Sequence, residues 1–248
     1  MTKTIWTPEN IEGNPSFSDD IRLYSHSGLC NRLRLIVAYK HFSDIKNKNI
    51  EFFWSKSPQC NGLFKDLFQP IPNINFTYVK WGARPKQTAT SLDLYPHDEK
   101  IKNKNHLIFK PVDGIMNEVK ETQKRIGEDY ISCHIRRTDI ITIQKKYKKE
   151  PPKDQDFIDF IESYPDKKVF LATDNRTTQE KFIKIFPKRL TYACVIQGDG
   201  SKRHPKRTTS IQDAVKDLFL CIGSTHFMGT VSSSYSTFIE NYKKGQHE

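Results

Sequence analysis

Apolar residues along this chain recur in two alternating rhythms. Short runs dense in aliphatic and aromatic residues give way to stretches in which apolar positions fall three or four apart. The first rhythm fits strands and the second fits helices. In the amino-terminal half, residues 21–25 read as a strand, followed by the turn His26-Ser27-Gly28-Leu29-Cys30-Asn31. Residues 33–42 then read as a helix with a stripe at Leu33, Ile36, Val37 and Lys40. Residues 50–54 read as a second strand. Leu63, Phe64, Leu67 and Phe68 form a short helical face stopped by Pro70, and 78–81 read as a further strand. Residues 82–110 are rich in Pro, Asn and Lys and carry no clear period, and helix resumes within 111–125.

The carboxyl-terminal half is more regular. Strands are expected at 130–135, 169–172, 192–196 and 226–228. Helices are expected around Phe157, Ile158, Phe160 and Ile161, and around Phe182, Ile185 and Phe186, where Pro187 closes the element. Ile211, Ala214, Val215, Leu218 and Phe219 fall at i, i+3, i+4, i+7 and i+8, the strongest helical stripe in the chain. Tyr235, Phe238, Ile239 and Tyr242 mark a terminal helix, and the lysine run and prolines of 140–154 mark a loop. Strand–helix alternation in both halves predicts an α/β protein with parallel sheets and helices on both faces, and two such halves imply a cleft between them. The boundary falls near 110–128 and is drawn between a domain of residues 1–125 and a domain of residues 126–248.

Composition changes this picture in three ways. The 248 residues, 36% hydrophobic and 28% charged, suffice for one large domain or two small ones with cores of their own. A net charge of +11, from 40 Lys+Arg against 29 Asp+Glu, favours polyanionic partners, although most of the lysines read as solvated surface. The chain has no run of eighteen apolar residues, and its first thirteen residues lack the apolar core of a signal peptide, so no membrane span and a cytoplasmic location are expected. The five cysteines, Cys30, Cys60, Cys133, Cys194 and Cys221, are widely spaced and form no CxxC pair. They read as reduced thiols, with Cys133 and Cys194 inside buried strands, and not as a zinc site.

Four polar clusters follow predicted strands, where ligands of open α/β sheets bind. In His26-Ser27-Gly28-Leu29-Cys30-Asn31-Arg32, a glycine before a helix lets a ligand approach the backbone and the helix start favours anions, although a plain turn reads equally well. The second cluster, Cys133-His134-Ile135-Arg136-Arg137-Thr138-Asp139, places two adjacent guanidiniums at a strand end. Guanidiniums hold phosphate oxygens bidentately, which points to a nucleotide-sugar site. Alternation puts His134 and Arg136 on one face, with Arg136 available to a diphosphate; Arg137, on the other, is expected to pair with Asp139 or Asp174. Thr173-Asp174 can orient a ligand or buttress an arginine, or Asp174 or Asn175 can cap a helix. The last cluster runs from Asp217 to the hydroxyl-rich turn Ser232-Ser233-Ser234-Tyr235-Ser236. Serine hydroxyls and helix-start amides are good phosphate donors, and a single serine would serve as a plain cap.

Two other runs read differently. Asp154-Gln155-Asp156 has the form of a DxD metal signature, but it follows two prolines, precedes a helix and reads as a capping cluster. The basic run 201–207 reads as a loop near an anionic substrate; no aromatic stacking module accompanies it to make a nucleic-acid site.

In this order the four clusters resemble the fucosyltransferase superfamily with an HxRR motif, which includes the alpha-1,2 and alpha-1,6 fucosyltransferases, their rhizobial nodulation relative and the protein O-fucosyltransferases. The turn 28–32 resembles the GLGN-type turn of alpha-1,2 members. CHIRRTD resembles HVRRTD, LATDN at 171–175 resembles ATDD, and the stretch from Asp217 through GTVSSSYS resembles the block that closes the donor site. The likeness spans residues 26–242 and is thin over 50–125.

The resemblance implies two Rossmann-like halves facing a cleft in a compact glycosyltransferase B fold. The 1–125 half would then lie on the acceptor side and the 126–248 half would bind the donor. It implies inverting transfer of L-fucose from GDP-fucose to a glycan hydroxyl, with no cofactor and no metal. By the same resemblance Arg136 binds the diphosphate and neutralises the leaving group. His134 and Asp217 contact the nucleotide, Asp217 at guanine. Ser232, Ser233 and Ser234 bind phosphate, Thr173, Asp174 and Arg137 organise the donor site, and Gly28, Asn31 and Arg32 line the cleft from the other half. Alpha-1,6 members carry a glutamate after the motif that is associated with acceptor activation; Gln144 stands there and cannot act as a base, which leaves Asp139 as the substitute. The competing readings are transfer from another GDP-sugar, a catalytically silent nucleotide-sugar binding module, and a nucleic-acid-binding protein.

Overall fold

Parallel strands covered on both faces are nearly continuous apolar runs, which is why most strands of this chain are legible in its amino-acid sequence. The structure, a computed structural model, describes residues 20–90, 92, 94–138, 150, 152–199 and 209–248. The first thirteen residues, Asp139, Gln144 and the basic run 201–207 lie outside the described residues. The chain divides into two compact units: the described residues up to Lys110 with Lys244–Glu248, and Pro111–Lys243.

In the first unit β1 (Ile21–Ser25), β2 (Ile50–Trp54) and β3 (Ile74–Tyr78) form a parallel sheet in the order β1-β2-β3. Ala89 adds a parallel bridge to Leu23 of β1. Helix α1 (Leu29–Lys46) starts at the Gly28 carbonyl, which accepts the amides of Asn31 and Arg32, and it ends at Asn47, whose φ of 48° is a conformation that asparagine tolerates. An aromatic cluster fills the space under β2 and β3. Phe64, in a single 3-10 turn (Phe64–Asp66), stacks on Phe76 at 3.7 Å between ring centroids and meets Trp54 edge-on at 5.7 Å. The strand expected at 78–81 lies earlier, at Ile74–Tyr78. Its apolar signal is weak because only Ile74 of the five residues is buried, the pattern of an edge strand.

Helix α2 (Glu99–His106), in the stretch with no readable period, has only eight residues, begins under an Asp98 cap and buries His106. Burial, aided by the charges of Arg34 and Lys102, pulls this imidazole down from its ordinary value to about 4, against the opposing pull of its bond to the Lys102 carbonyl. A depressed histidine contributes stability that is complete above about pH 6.5 and lost as the pH falls toward 4, on the order of 3 kcal/mol in all. Urea unfolding followed by tryptophan fluorescence is expected to show this loss between pH 7 and 4, and His106→Gln to flatten it; an unchanged profile in the variant would place the titration elsewhere.

In the second unit β4 (Tyr130–Ile135), β5 (Lys168–Thr173), β6 (Leu190–Thr191) and β7 (His226–Gly229) form a parallel sheet in the order β6-β5-β4-β7. Helix α3 (Asp113–Ile126) belongs here, so the units divide at residue 110, whereas the sequence pattern places the boundary at 125. The cause is the buried stripe Ile115, Val119 and Ile126, which faces α6 (Ile211–Ile222), and a Lys216–Glu118 ion pair of 2.8 Å joins the two helices. One face of β4 places Ile131, Cys133 and Ile135 in a core with Phe157 and Ile161 of α4 (Asp154–Glu162) and Phe182 of α5 (Arg176–Ile185). The other face is polar. Tyr130 donates its hydroxyl proton to the Leu220 carbonyl at 2.6 Å, and Ser132 lies 2.7 Å from the Ser224 hydroxyl.

The strand expected at 192–196 lies earlier and is only two residues long, at Leu190–Thr191. The buried Gln179 side chain takes the pairing role beyond it, donating to the Cys194 carbonyl at 2.9 Å and accepting the Ile196 amide at 2.9 Å. Cys194 is accordingly half-buried and outside any strand, a correction to the expectation above. Burial pushes the thiols of Cys133 and Cys221 well up, which suits packing and not reactivity. Among the described residues no helix is long and apolar enough to cross a membrane.

Candidate functional site

Because β4, β5 and β7 are adjacent and parallel, their carboxyl ends lie side by side, and each carries one of the polar clusters. From β4 the chain runs into Arg136, Arg137 and Thr138; from β5 it runs into Asp174; from β7 it runs into Thr230 and the serine turn. A mesh of hydrogen bonds joins the three ends. Thr230 Oγ1 accepts the Arg136 amide at 2.9 Å and donates to the His134 carbonyl at 2.9 Å. Asp174 Oδ1 accepts the Arg137 amide at 2.8 Å, and Oδ2 accepts the Thr138 hydroxyl at 2.6 Å. Thr173 donates to the Ile135 carbonyl at 2.7 Å.

The two arginines go to different surroundings. The half-buried Arg136 guanidinium has its Nε 4.0 Å from Asp174 Oδ2, a loose ion pair at the strand end. Arg137 turns the other way, over the Phe157 ring, donating to the Pro152 carbonyl at 3.0 Å and to Asp154 Oδ1 at 2.5 Å. Among the described residues its side-chain acid is therefore Asp154, whereas Asp174, one of the two expected partners, takes only its backbone amide; Asp139, the other, lies outside the described residues. Lys181 holds the other oxygen of Asp154 at 2.7 Å. Burial alone would raise this carboxyl, but the bonds from Lys181 and Arg137 outweigh it and hold it below the ordinary value. Asp156 of the DxD sequence accepts the Lys153 amide at 2.6 Å and caps α4. Asn175 caps α5 by accepting the Thr178 amide at 2.8 Å, which leaves Asp174 to the arginine loop.

The end of β7 and the start of α7 (Ser234–Gly245) form the third side. Ser232 has a φ of +66°, a left-handed turn that swings the chain from strand to helix. Ser233 is buried, and its hydroxyl has no hydrogen-bond partner among the described residues. The first amides of α7 have no partners within the helix, a setting that favours anions. His134, buried on β4, places Nδ1 2.7 Å from Ser236 Oγ, and its ring centroid is 4.5 Å from that of Tyr235. Tyr235 is itself tied to α6 through its hydroxyl, 2.6 Å from the Ala214 carbonyl. Asp217 sits half-buried on α6.

Gly229 permits this arrangement. A β-carbon there would lie 2.6 Å from Ser236 Cβ and 2.7 Å from its Oγ. Gly229→Ala is expected to push α7 from the strand end and destabilise the second unit by about 1–3 kcal/mol, measured by urea unfolding followed by far-UV circular dichroism. Wild-type stability in that variant would contradict the close packing.

Gly28, Asn31 and Arg32 belong to the first unit. Gly28 precedes α1 with an ordinary φ of −63° and no atom within 4 Å of where a β-carbon would stand, and Asn31 is exposed. Arg32 is a fully buried side chain, with Nε donating to the Ser27 carbonyl at 2.6 Å. Its other groups reach the Ser55 carbonyl at 2.6 Å and Ser57 Oγ at 2.9 Å, so it braces the turn from inside. Sequence reasoning misses Asp154 as the partner of Arg137, and it misses Thr230 and Ser236. The last two lie in the GTVSSSYS stretch, where a run of hydroxyls hides which of them face inward.

No protein-family model matches the chain, and no curated protein matches it by sequence. Solved structures do match. The chain has an α/β fold with two parallel sheets that is glycosyltransferase-B-like. It resembles NodZ alpha-1,6-fucosyltransferase soaked with GDP-fucose at a TM-score of 0.57 and 12% identity, over 89% of this chain and 91% of that one. NodZ co-crystallised with GDP matches at 0.59 and 13% identity, over 88% and 90%. Fucosyltransferase NodZ from Bradyrhizobium matches at 0.58 and 12% identity, over 88% and 91%. At these identities the likeness establishes the fold alone, a fold shared with fucosyltransferases.

Proposed function

We propose that this chain is an inverting, metal-independent glycosyltransferase that moves L-fucose from GDP-fucose to a carbohydrate hydroxyl. The observation that carries the reading is Arg136: a half-buried guanidinium at the meeting point of three parallel strand ends, braced by Asp174 and Thr230. Breaking the sugar–phosphate bond builds negative charge on GDP and oxocarbenium character on the sugar. A preorganised guanidinium stabilises that charge more in the transition state than in the ground state. In this reading the second unit holds the donor and the first unit serves the acceptor. Arg136 and the amides and hydroxyls of Ser232, Ser233 and Ser234 hold the diphosphate, and His134 contacts the nucleotide. Asp217 accepts the two edge donors of guanine. Asp174 sets the Arg136 loop, Arg137 anchors that loop to α4 through Asp154, and Gly28 and Asn31 line the acceptor side. Asp139 remains the proposed base for the acceptor hydroxyl. That solved NodZ structures contain GDP or GDP-fucose supports the choice of donor. Other GDP-sugars remain the alternative donor class. Gln144, in place of a glutamate, favours a second reading, a module that binds a GDP-sugar without transferring it.

The test is turnover. GDP release from GDP-fucose in the presence of mixed oligosaccharide acceptors is expected to exceed that from UDP-sugars and to survive EDTA. Strong inhibition by EDTA would return Asp154 and Asp156 to consideration as metal ligands. GDP-sugar binding with no release under any condition would support the silent module.

A further inference from the structure

A serine hydroxyl has one proton to give and two lone pairs to receive. Ser236 Oγ is buried between two partners, the Thr230 amide at 2.9 Å and His134 Nδ1 at 2.7 Å. The amide can only donate, so it takes one lone pair. If Nδ1 also donated, Ser236 would receive twice and its own proton would be buried with no acceptor, which folded proteins avoid. The arrangement that satisfies both Ser236 and the Thr230 amide has the Ser236 proton on the bond to Nδ1, and the histidine's own proton then sits on Nε2. The surroundings are built to keep Ser236 in place. Gly229 leaves the space in which its β-carbon and hydroxyl sit, Thr230 presents its amide, and Tyr235, one residue earlier, packs on the imidazole ring.

We infer that Ser236 is a positioning residue that fixes His134 as the neutral Nε2–H tautomer, so that the histidine meets the nucleotide as a hydrogen-bond donor. The role at the nucleotide rests on the donor-site reading above; the tautomer does not. A donating nitrogen suits phosphate oxygens, which only accept, and it complements the Arg136 guanidinium just beyond the end of β4. Ser236 acts through His134 and not on substrate.

The experiment is nitrogen-15 NMR of the imidazoles in the full chain near neutral pH, with the His134 signals identified by their loss in His134→Gln. One protonated ring nitrogen, assigned as Nε2, is expected in the wild type. An Nδ1–H tautomer or an imidazolium there would overturn the inference, whatever any variant does. Ser236→Ala is expected to convert His134 to a mixture of tautomers and to weaken GDP binding, read by calorimetry, by about tenfold. An altered tautomer with unchanged GDP affinity would overturn the positioning role. A wild type that shows the Nε2–H signature but binds no GDP would instead overturn the donor-site reading, so the two failures are told apart.

Discussion

Arg136→Ala is expected to cut transfer from GDP-fucose by at least about 100-fold and to weaken GDP binding by about tenfold or more. The variant loses the guanidinium at the ends of β4, β5 and β7, and with it the charge that the proposed function aims at the leaving diphosphate. The fold around it should survive. The Asp174 carboxylate keeps the Arg137 amide and the Thr138 hydroxyl, and Thr230 still receives the backbone amide of residue 136. Far-UV circular dichroism should therefore match the wild type while activity does not. Arg136→Lys is expected to recover little, because an ammonium lacks the planar fork that grips two oxygens together. Wild-type turnover in Arg136→Ala would remove the clamp from the account.

The opposite pattern is expected of Arg32. Arg32→Met should destabilise the first unit by about 3–5 kcal/mol, because it strands the buried Ser55 carbonyl, the buried Ser57 hydroxyl and the half-buried Ser27 carbonyl, which now receive guanidinium protons. It also removes a cation 4.7 Å from the Trp54 ring centroid. Burial pulls this guanidinium down from its ordinary value, although Cys60 and Tyr24 oppose the shift. Urea unfolding followed by tryptophan fluorescence reports the first unit, since the two tryptophans among the described residues, Trp54 and Trp81, both belong to it. A stable Arg32→Met protein with weakened donor binding would show that Arg32 touches the ligand after all.

These two arginines also show what a sequence can and cannot carry. Both follow a strand and both sit beside small polar residues, so by pattern alone both read as ligand contacts. The difference lies in Ser55 and Ser57, which reach Arg32 from the loop after β2 and enclose it. Long-range closure of this kind leaves no local periodic trace. The same holds for Arg137, whose partner Asp154 lies 17 residues on, across a segment that sequence alone reads as loop. Strand positions are legible where burial covers both faces, as in β1, β2 and β4. They fail where a side chain stands in for backbone, as Gln179 does beside 192–196, or where an edge strand buries a single residue, as β3 does. Arg136, Asp174 and the serine turn can be found because a parallel sheet gathers whatever follows its strands at one end. The inward-facing hydroxyls of Thr230 and Ser236 cannot, because their roles depend on which side of the strand end they face.

Calorimetric titration of the wild type and Arg136→Ala with GDP, UDP and ADP, each with and without magnesium, tests whether Arg136 holds a guanine nucleotide. Metal-independent binding that favours GDP and is largely lost in the variant is the expected result. Preference for UDP, or equal binding by the variant and the wild type, would contradict it.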